Sequence, residues 1–346
     1  MGNPDESETS LQLRRIPTEE AFAIPEQMDA MRKVVANASE YHPDLYLWSI
    51  TLSGGLLHDR LLDLEGERLE IMDEAGIDTQ LLSLTSTGVQ MLDVDTATAV
   101  ASIANDRLAD VIKRHPGRFA GLATVPPQAP ERAVKELERA MTTLKLNGVV
   151  INSHTDGEFL SERKYWPILE AAESLSAPIY IHPRSPGPLH AAAYRADHLE
   201  HAIWGYAAET GLHGLRLITG GVFDQFPNLK IVLGHMGEGI PYWLYRIDYM
   251  HRVTANFPDM NRAKLKRKPS EYFLDNFVIT TSGVNWTPPL QYCIAVLGPD
   301  KVMFAVDYPY QETFEAVNWL NDAPIPDAQK RQIFSVSAER IFRISA

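Results

Sequence analysis

Short apolar runs alternate along this chain with longer stretches in which apolar residues recur every three or four positions. Val134, Leu137, Met141 and Leu144 make one such stripe, and Val100, Ile103, Ala104, Leu108 and Val111 make another. That spacing turns one side of an α-helix toward a core. The second stripe runs into His115-Pro116-Gly117, a stop signal. Eight short runs have strand character: 13–18, 79–85, 118–125, 148–151, 178–182, 230–234, 277–281 and 301–305. Several are apolar along their whole length, as parallel strands covered on both faces are. A helical pattern follows most of them. The repeats predict an α/β fold, a (β/α)8 TIM barrel forming a single domain over 12–346, with 1–11 as a disordered N-terminal arm. A doubly wound open sheet is the runner-up, although no GxGxxG follows the first strand. Two connections are long, 22–65 and 184–199. They are expected as extended loops at the C-terminal face of the strands, where barrel sites are built.

Composition then narrows the classes of function. The 346 residues carry 32 Lys and Arg against 45 Asp and Glu, a formal net charge of -13. With no basic run to offset it, such a chain repels phosphate backbones, so no nucleic-acid partner is expected. No apolar run approaches the roughly 18 residues of a membrane span. The polar, acidic start lacks the pattern of a signal peptide. The one cysteine, Cys293, rules out an internal disulfide framework and reads as a buried thiol. Together these features predict a cytoplasmic protein.

Candidate chemistry gathers at strand ends. Glu19 follows the first strand, His182 closes the fifth, His235 and Glu238 follow the sixth, and Asp307 follows the eighth. Each has an ordinary reading by itself: a hydrogen-bonded strand cap for His235, a helix N-terminal carboxylate for Glu238, a turn residue for Asp307. Together at one barrel mouth they need partners, because burying them unpaired is costly. A divalent cation satisfies such a set, and oxygen and nitrogen ligands without thiolate suit Mn(II), Zn(II) or Fe(II). Strand alternation allows only one of Glu19 and Glu20 to face inward. The fourth strand ends at Asn152-Ser153-His154, with no lysine to bridge a second metal.

These residues resemble the amidohydrolase superfamily, in particular its decarboxylase branch. The motifs are Thr18-Glu19-Glu20-Ala21-Phe22-Ala23, Thr85-Ser86-Thr87-Gly88-Val89-Gln90, Ile181-His182-Pro183, Gly234-His235-Met236-Gly237-Glu238 and Asp307-Tyr308-Pro309. Two segments extend the likeness: Glu209 to Asp224, which holds His213 and Phe223, and Pro241-Tyr242-Trp243-Leu244-Tyr245-Arg246. The chain looks most like the 5-carboxyvanillate and γ-resorcylate/2,3-dihydroxybenzoate decarboxylases. The resemblance implies one divalent metal ion, Mn(II) favoured and Zn(II) the alternative, on Glu19, His182 and Asp307. It implies catalytic roles for Asp307, His235 and Glu238, and substrate contacts from Arg246, His235, His154 and Phe223. A second arginine of the 5-carboxyvanillate enzymes aligns with Ser53, with Arg60 not far away, so 5-carboxyvanillate itself is open.

The reaction expected from this likeness is nonoxidative decarboxylation of an ortho-hydroxy aromatic acid, by ring protonation followed by CO2 loss. That makes the protein a carbon–carbon lyase, a carboxy-lyase. Asp307 is the expected proton donor, with His235 and Glu238 balancing charge. The alternatives are a hydrolase using metal-bound water on the same barrel and a noncatalytic binding protein. A homodimer or homotetramer is expected.

Overall fold

The computed structural model describes residues 13–255, 257 and 263–345; the expected N-terminal arm lies outside the described residues. Eight parallel strands form one sheet in chain order: β1 (Glu20–Phe22), β2 (Gln80–Leu84), β3 (Phe119–Thr124), β4 (Gly148–Asn152), β5 (Ile179–His182), β6 (Ile231–Leu233), β7 (Phe277–Thr280) and β8 (Val302–Met303). The two ends of the sheet meet, because Thr18 N–H donates to Phe304 O at 3.0 Å and Ala21 N–H to Tyr308 O at 2.7 Å. This is an α/β architecture of the TIM-barrel type.

Strand alternation explains the uniformly apolar runs. Leu81, Leu122, Val150, Tyr180, Val232, Val278 and Met303 pack with one another inside the ring, joined by Ile16 and by Ile341 and Phe342 of the C-terminal helix. Their neighbours Leu82, Val149, Ile151, Ile179, Ile181, Leu233 and Ile279 belong to the larger core between strands and helices. Both faces are therefore dry, and a parallel strand here has no polar side. The same alternation carries His182, Gly234, Thr280 and Ser282 inward at the strand ends.

β2 to β7 lie within a residue or two of the expected runs, but the first strand does not. It was expected over 13–18, and the regular ladder starts at Glu20. Residues 16–18 are bonded on both sides, Ile16 N–H to Phe334 O, Thr18 N–H to Phe304 O and Leu81 N–H to Pro17 O. Pro17 has no N–H to give, so the ladder is interrupted there. Ile16 and Glu19 both face inward although three positions separate them, so the alternation slips once in this stretch. The last strand is shorter than its expected run and covers only Val302–Met303.

The long connection after β1 is helical: α1 (Pro25–Ala36), α2 (Pro43–Leu52), α3 (Leu56–Leu62) and α4 (Glu67–Ala75). α2 is tied to the rim just beyond β5. Asp44 Oδ2 accepts from Arg184 Nε at 2.9 Å and Nη2 at 2.7 Å, and Oδ1 accepts from Ser185 N–H at 3.0 Å. Tyr41 donates to Glu200 at 2.7 Å, and the Tyr46 ring stacks on His201. The two long connections thus meet each other over the C-terminal rim. Among the described residues no helix is long and apolar enough to cross a membrane.

Candidate metal and active site

Glu19, His182 and Asp307 meet at the C-terminal mouth, with one ligand atom from each lying within 4.8 Å of the others. The hydrogen bonds around them divide the work between atoms. Tyr180, Ser282 and Thr280 all donate to Oε2 of Glu19, Thr280 at 3.2 Å. Oε1 of Glu19 is buried and has no hydrogen-bond partner. It faces His182 Nε2 at 3.5 Å. His182 Nδ1 lies 2.8 Å from Pro183 O, and a carbonyl only accepts, so Nδ1 carries the proton and the Nε2 lone pair points into the site. Gly234 makes the approach possible, since a Cβ there would stand 2.8 Å from Oε2 of Glu19.

The electrostatics are those of a site with surplus negative charge. Burial alone would lift the Glu19 carboxyl, but His235, His182 and the Ser282 and Tyr180 hydroxyls overcome it and hold it below its ordinary value. Asp307 moves the other way, well above the usual carboxylate range, through burial and the charges of Glu19, Glu20 and Glu238. Burial also lowers His182 and keeps its imidazole neutral, with Glu19 pulling against it. An unpartnered buried oxygen, a neutral imidazole with its lone pair inward and a crowded carboxylate fit a divalent cation. A cation there would restore Asp307 to its charged form.

His235 and Glu238 form a second unit beside this cluster. Nδ1 of His235 and Oε1 of Glu238 are 2.8 Å apart. Burial works against a charged His235, but Glu238 and Glu19 raise it to about 10. Burial also raises Glu238, with His235 opposing. A proton is therefore held between Nδ1 and Oε1, while Oε2 of Glu238 is buried without a partner. The backbone here is unusual: His235, Met236 and Glu238 have φ of 48°, 55° and 54°, and Asp307 has 75°. Non-glycine residues at such angles are costly and collect where the surroundings over-determine them, as at functional sites. Glu238 thus sits in a left-handed turn rather than in the first turn of a regular helix.

Other candidates stand elsewhere. Phe223, expected at the substrate pocket, packs in the core against Tyr272 and Phe277. Phe277 opens β7, so Phe223 belongs to the opposite end of the barrel from the site. His154 spends both ring nitrogens on backbone, Nε2 at 3.0 Å from Ser185 O and Nδ1 accepting from Gly157 N–H at 3.1 Å. Its polar atoms brace a loop and leave none for a substrate. Arg246 is exposed on the helix Ile240–Val253 beside exposed Trp243 and Tyr245, outside the buried cluster. Ser53 is the exposed C-cap of α2. Arg60 gives Nε and Nη2 to Glu67 and lies 6.0 Å from the Tyr308 ring.

The side chains that support the candidate ligands are less conspicuous in the sequence. Tyr180 carried a usable signal, being two positions before His182 on the same strand face. Thr280 and Ser282 repeat that spacing at the end of β7. Arg68 is fully buried, donating to Ala21 O at 2.7 Å and to Gln80 Oε1 at 3.2 Å, and it stacks 4.6 Å over the Tyr308 ring. A lone arginine in an amphipathic helix gives no sequence signal for that role.

Known proteins resemble this chain over most of its length. The amidohydrolase family model matches residues 41–344. The 5-carboxyvanillate decarboxylase of Sphingomonas paucimobilis superposes with a TM-score of 0.93 at 46% identity, covering 96% of this chain and 100% of that one. The 5-carboxyvanillate decarboxylase of Novosphingobium aromaticivorans, complexed with manganese and 4-hydroxy-3-methoxy-5-nitrobenzoic acid, also gives 0.93, at 39% identity over 96% and 97% of the two chains. The γ-resorcylate decarboxylase of a Polaromonas species is 37% identical over 300 residues, 84% of this chain and 90% of its own length. By motif, fold and the extent of these matches, the chain belongs to the amidohydrolase family.

Proposed function

We propose that this protein is a metal-dependent nonoxidative decarboxylase of an ortho-hydroxy aromatic acid, with compounds of the 5-carboxyvanillate kind ahead of the dihydroxybenzoates. The observation that carries the reading is the buried, unpartnered Oε1 of Glu19 beside the free lone pair of His182 and the carboxyl of Asp307. The relatives named above act on such acids, and one of them holds manganese. One ion fits the three ligands, Mn(II) favoured and Zn(II) the alternative.

When bound, the cation supplies Lewis-acid neutralisation of adjacent oxygens on the aromatic acid. The chain does the rest. Glu19 and His182, locked by hydroxyls and by Pro183 O, hold the site rigid so that the ring meets Asp307 in one orientation. The phenol gives up its proton, and the His235–Glu238 pair relays one to Asp307, which would otherwise be held in its charged form beside the cation. Asp307 delivers a proton to the ring carbon that bears the carboxylate. The bond from that carbon to the carboxylate then breaks, its electron pair returns to the ring, and CO2 leaves. The exposed Tyr242, Trp243 and Tyr245 beside Arg246 form an apolar surface of the sort that proteins cover. We propose a homo-oligomer that covers it, to be checked by light scattering of the purified protein. We also propose that residues 12–346 fold as one domain.

The test is incubation of Mn(II)-loaded protein with 5-carboxyvanillate, 2,6-dihydroxybenzoate and 2,3-dihydroxybenzoate, following the decarboxylated phenol by chromatography. The expected result is stoichiometric phenol and CO2 from at least one of the three, with 5-carboxyvanillate turned over fastest. Hydrolysis of an ester or amide analogue without CO2 release would favour the hydrolase alternative.

A further inference from the structure

Glu20 has no part in the reaction described above, yet it is fully buried beside it. Its carboxylate straddles Asp307. Oε1 accepts from Val306 N–H at 3.0 Å, and Oε2 accepts from Tyr308 N–H at 3.3 Å. These are the amides on either side of Asp307, whose φ of 75° is left-handed. A left-handed residue between two others turns successive N–H groups toward one point and makes a small anion-binding concavity. Glu20 fills that concavity from within the same chain. The turn is secured from its other side, because Tyr310 and Gln311 N–H donate to Asp307 O at 2.8 and 3.0 Å. Ala21 N–H also donates to Tyr308 O at 2.7 Å, so the strand carrying Glu20 grips the turn twice. Arg68 backs the arrangement, bonded to Ala21 O and lying over the Tyr308 ring. Both oxygens of Glu20 accept from amides, which is the pattern a carboxylate serves and a carboxamide does not.

We infer that Glu20 is the positioning residue for Asp307: by clamping the 306–308 turn while its neighbour Glu19 enters the cluster, it sets the span between the two carboxylate ligands. This rests on the reading of Glu19 and Asp307 as ligands of one cation. Two adjacent residues then do different work. Glu19 offers an oxygen to the ion, and Glu20 fixes where the other carboxylate stands. A carboxamide at position 20 keeps one accepting oxygen but turns an NH2 against an amide N–H. An aspartate keeps the carboxyl group but is one methylene too short to reach both amides.

The experiment is Mn(II) titration of metal-free protein, reading free Mn(II) by electron paramagnetic resonance. Wild type, Glu20→Gln, Glu20→Asp, Asp307→Asn and the double variant Glu20→Gln/Asp307→Asn are compared, with circular dichroism to establish folding. Glu20→Gln is expected to weaken Mn(II) binding on the order of 10- to 100-fold, the usual effect of removing a group that orients a ligand. Glu20→Asp, the informative variant should Glu20→Gln not fold, is expected to fall between it and wild type. In the Asp307→Asn background the same replacement should change Mn(II) affinity by less than about twofold, because the ligand it positions is already impaired. Wild-type affinity in the folded Glu20 variants, or an equal loss with and without Asp307, overturns the inference. Should Asp307→Asn itself bind Mn(II) as wild type does, the shared-cation reading fails, and the role of Glu20 falls with it.

Discussion

At the scale of single residues, a few side chains hold most of the chemistry. Asp307 sits where burial and neighbouring carboxylates favour its protonated form, aimed by a left-handed turn. Asp307→Asn should lower the decarboxylation rate by about 10²- to 10⁴-fold, the range of a positioned acid, in a chromatographic assay for the phenol. A variant with near-normal turnover would remove Asp307 as donor. His213 gives a prediction of another kind. Its Nε2 accepts from Leu160 N–H at 3.2 Å in a fully buried setting, and burial pushes its pKa down to about 3, with His154 and Arg216 adding to the effect. In the unfolded chain a histidine titrates near 6.5. Between those values the unfolded state binds the extra proton, so stability is fully present above about pH 6.5 and is lost as pH falls. By linkage the loss from this one group at pH 5 is about 2 kcal/mol. Urea denaturation of His213→Asn should show a flatter decline between pH 7 and pH 5 than wild type; parallel curves would count against the assignment. Of the candidate ligands, His182 and Asp307 were legible in the sequence because each stands at the end of an apolar run. Glu20 and Arg68 were not, because their partners are backbone groups and distant side chains brought near only by the fold, and Phe223 carried a motif position that packing uses at the other end of the barrel.

Among the elements, α2 shows how a long connection becomes part of a site. The sequence marked 22–65 as long and placed it over the mouth, but gave no reason for it to stay there. The reason is the buried pair of Asp44 and Arg184, two residues beyond His182. Both side chains are only 3% exposed, so the guanidinium has no water to fall back on when its partner is lost. Asp44→Ala should destabilise the protein by about 3–5 kcal/mol in urea denaturation, because it leaves a buried charge uncompensated. The double variant Asp44→Leu/Arg184→Met should recover most of that loss, since matched apolar side chains of similar volume replace such a pair at little cost. If the double variant were as unstable as the single one, the pair would be acting through geometry and not through charge. The strands themselves were legible wherever both faces are dry, since an unbroken apolar run has only one place to go. The first strand was not, because Pro17 removes a ladder donor within an otherwise strand-like run, and the register there is set by contacts with β2 and β8.

For the molecule as a whole, the barrel brings Glu19, Asp307 and Glu238 from distant parts of the chain to one mouth, in a protein already carrying a net charge of -13. The ordered protein must hold these carboxylates together, whereas the unfolded chain lets them separate. A cation that binds only the folded form then stabilises it by mass action, by about 2.7 kcal/mol when present at 100 times its dissociation constant. For a chain of this length that is a rise of several degrees in melting temperature. Stripping the protein with a chelator should therefore lower the melting temperature measured by calorimetry, and added Mn(II) should restore it in a concentration-dependent way. The gap between stripped and loaded protein should narrow as pH falls, because protons on the ligands compete with the ion. In Asp307→Asn the Mn(II)-dependent rise should be much smaller. A stripped protein that melts with the loaded one at every Mn(II) concentration would mean that no ion is held at this mouth, and the folded state would have to keep its carboxylates apart by protonation alone.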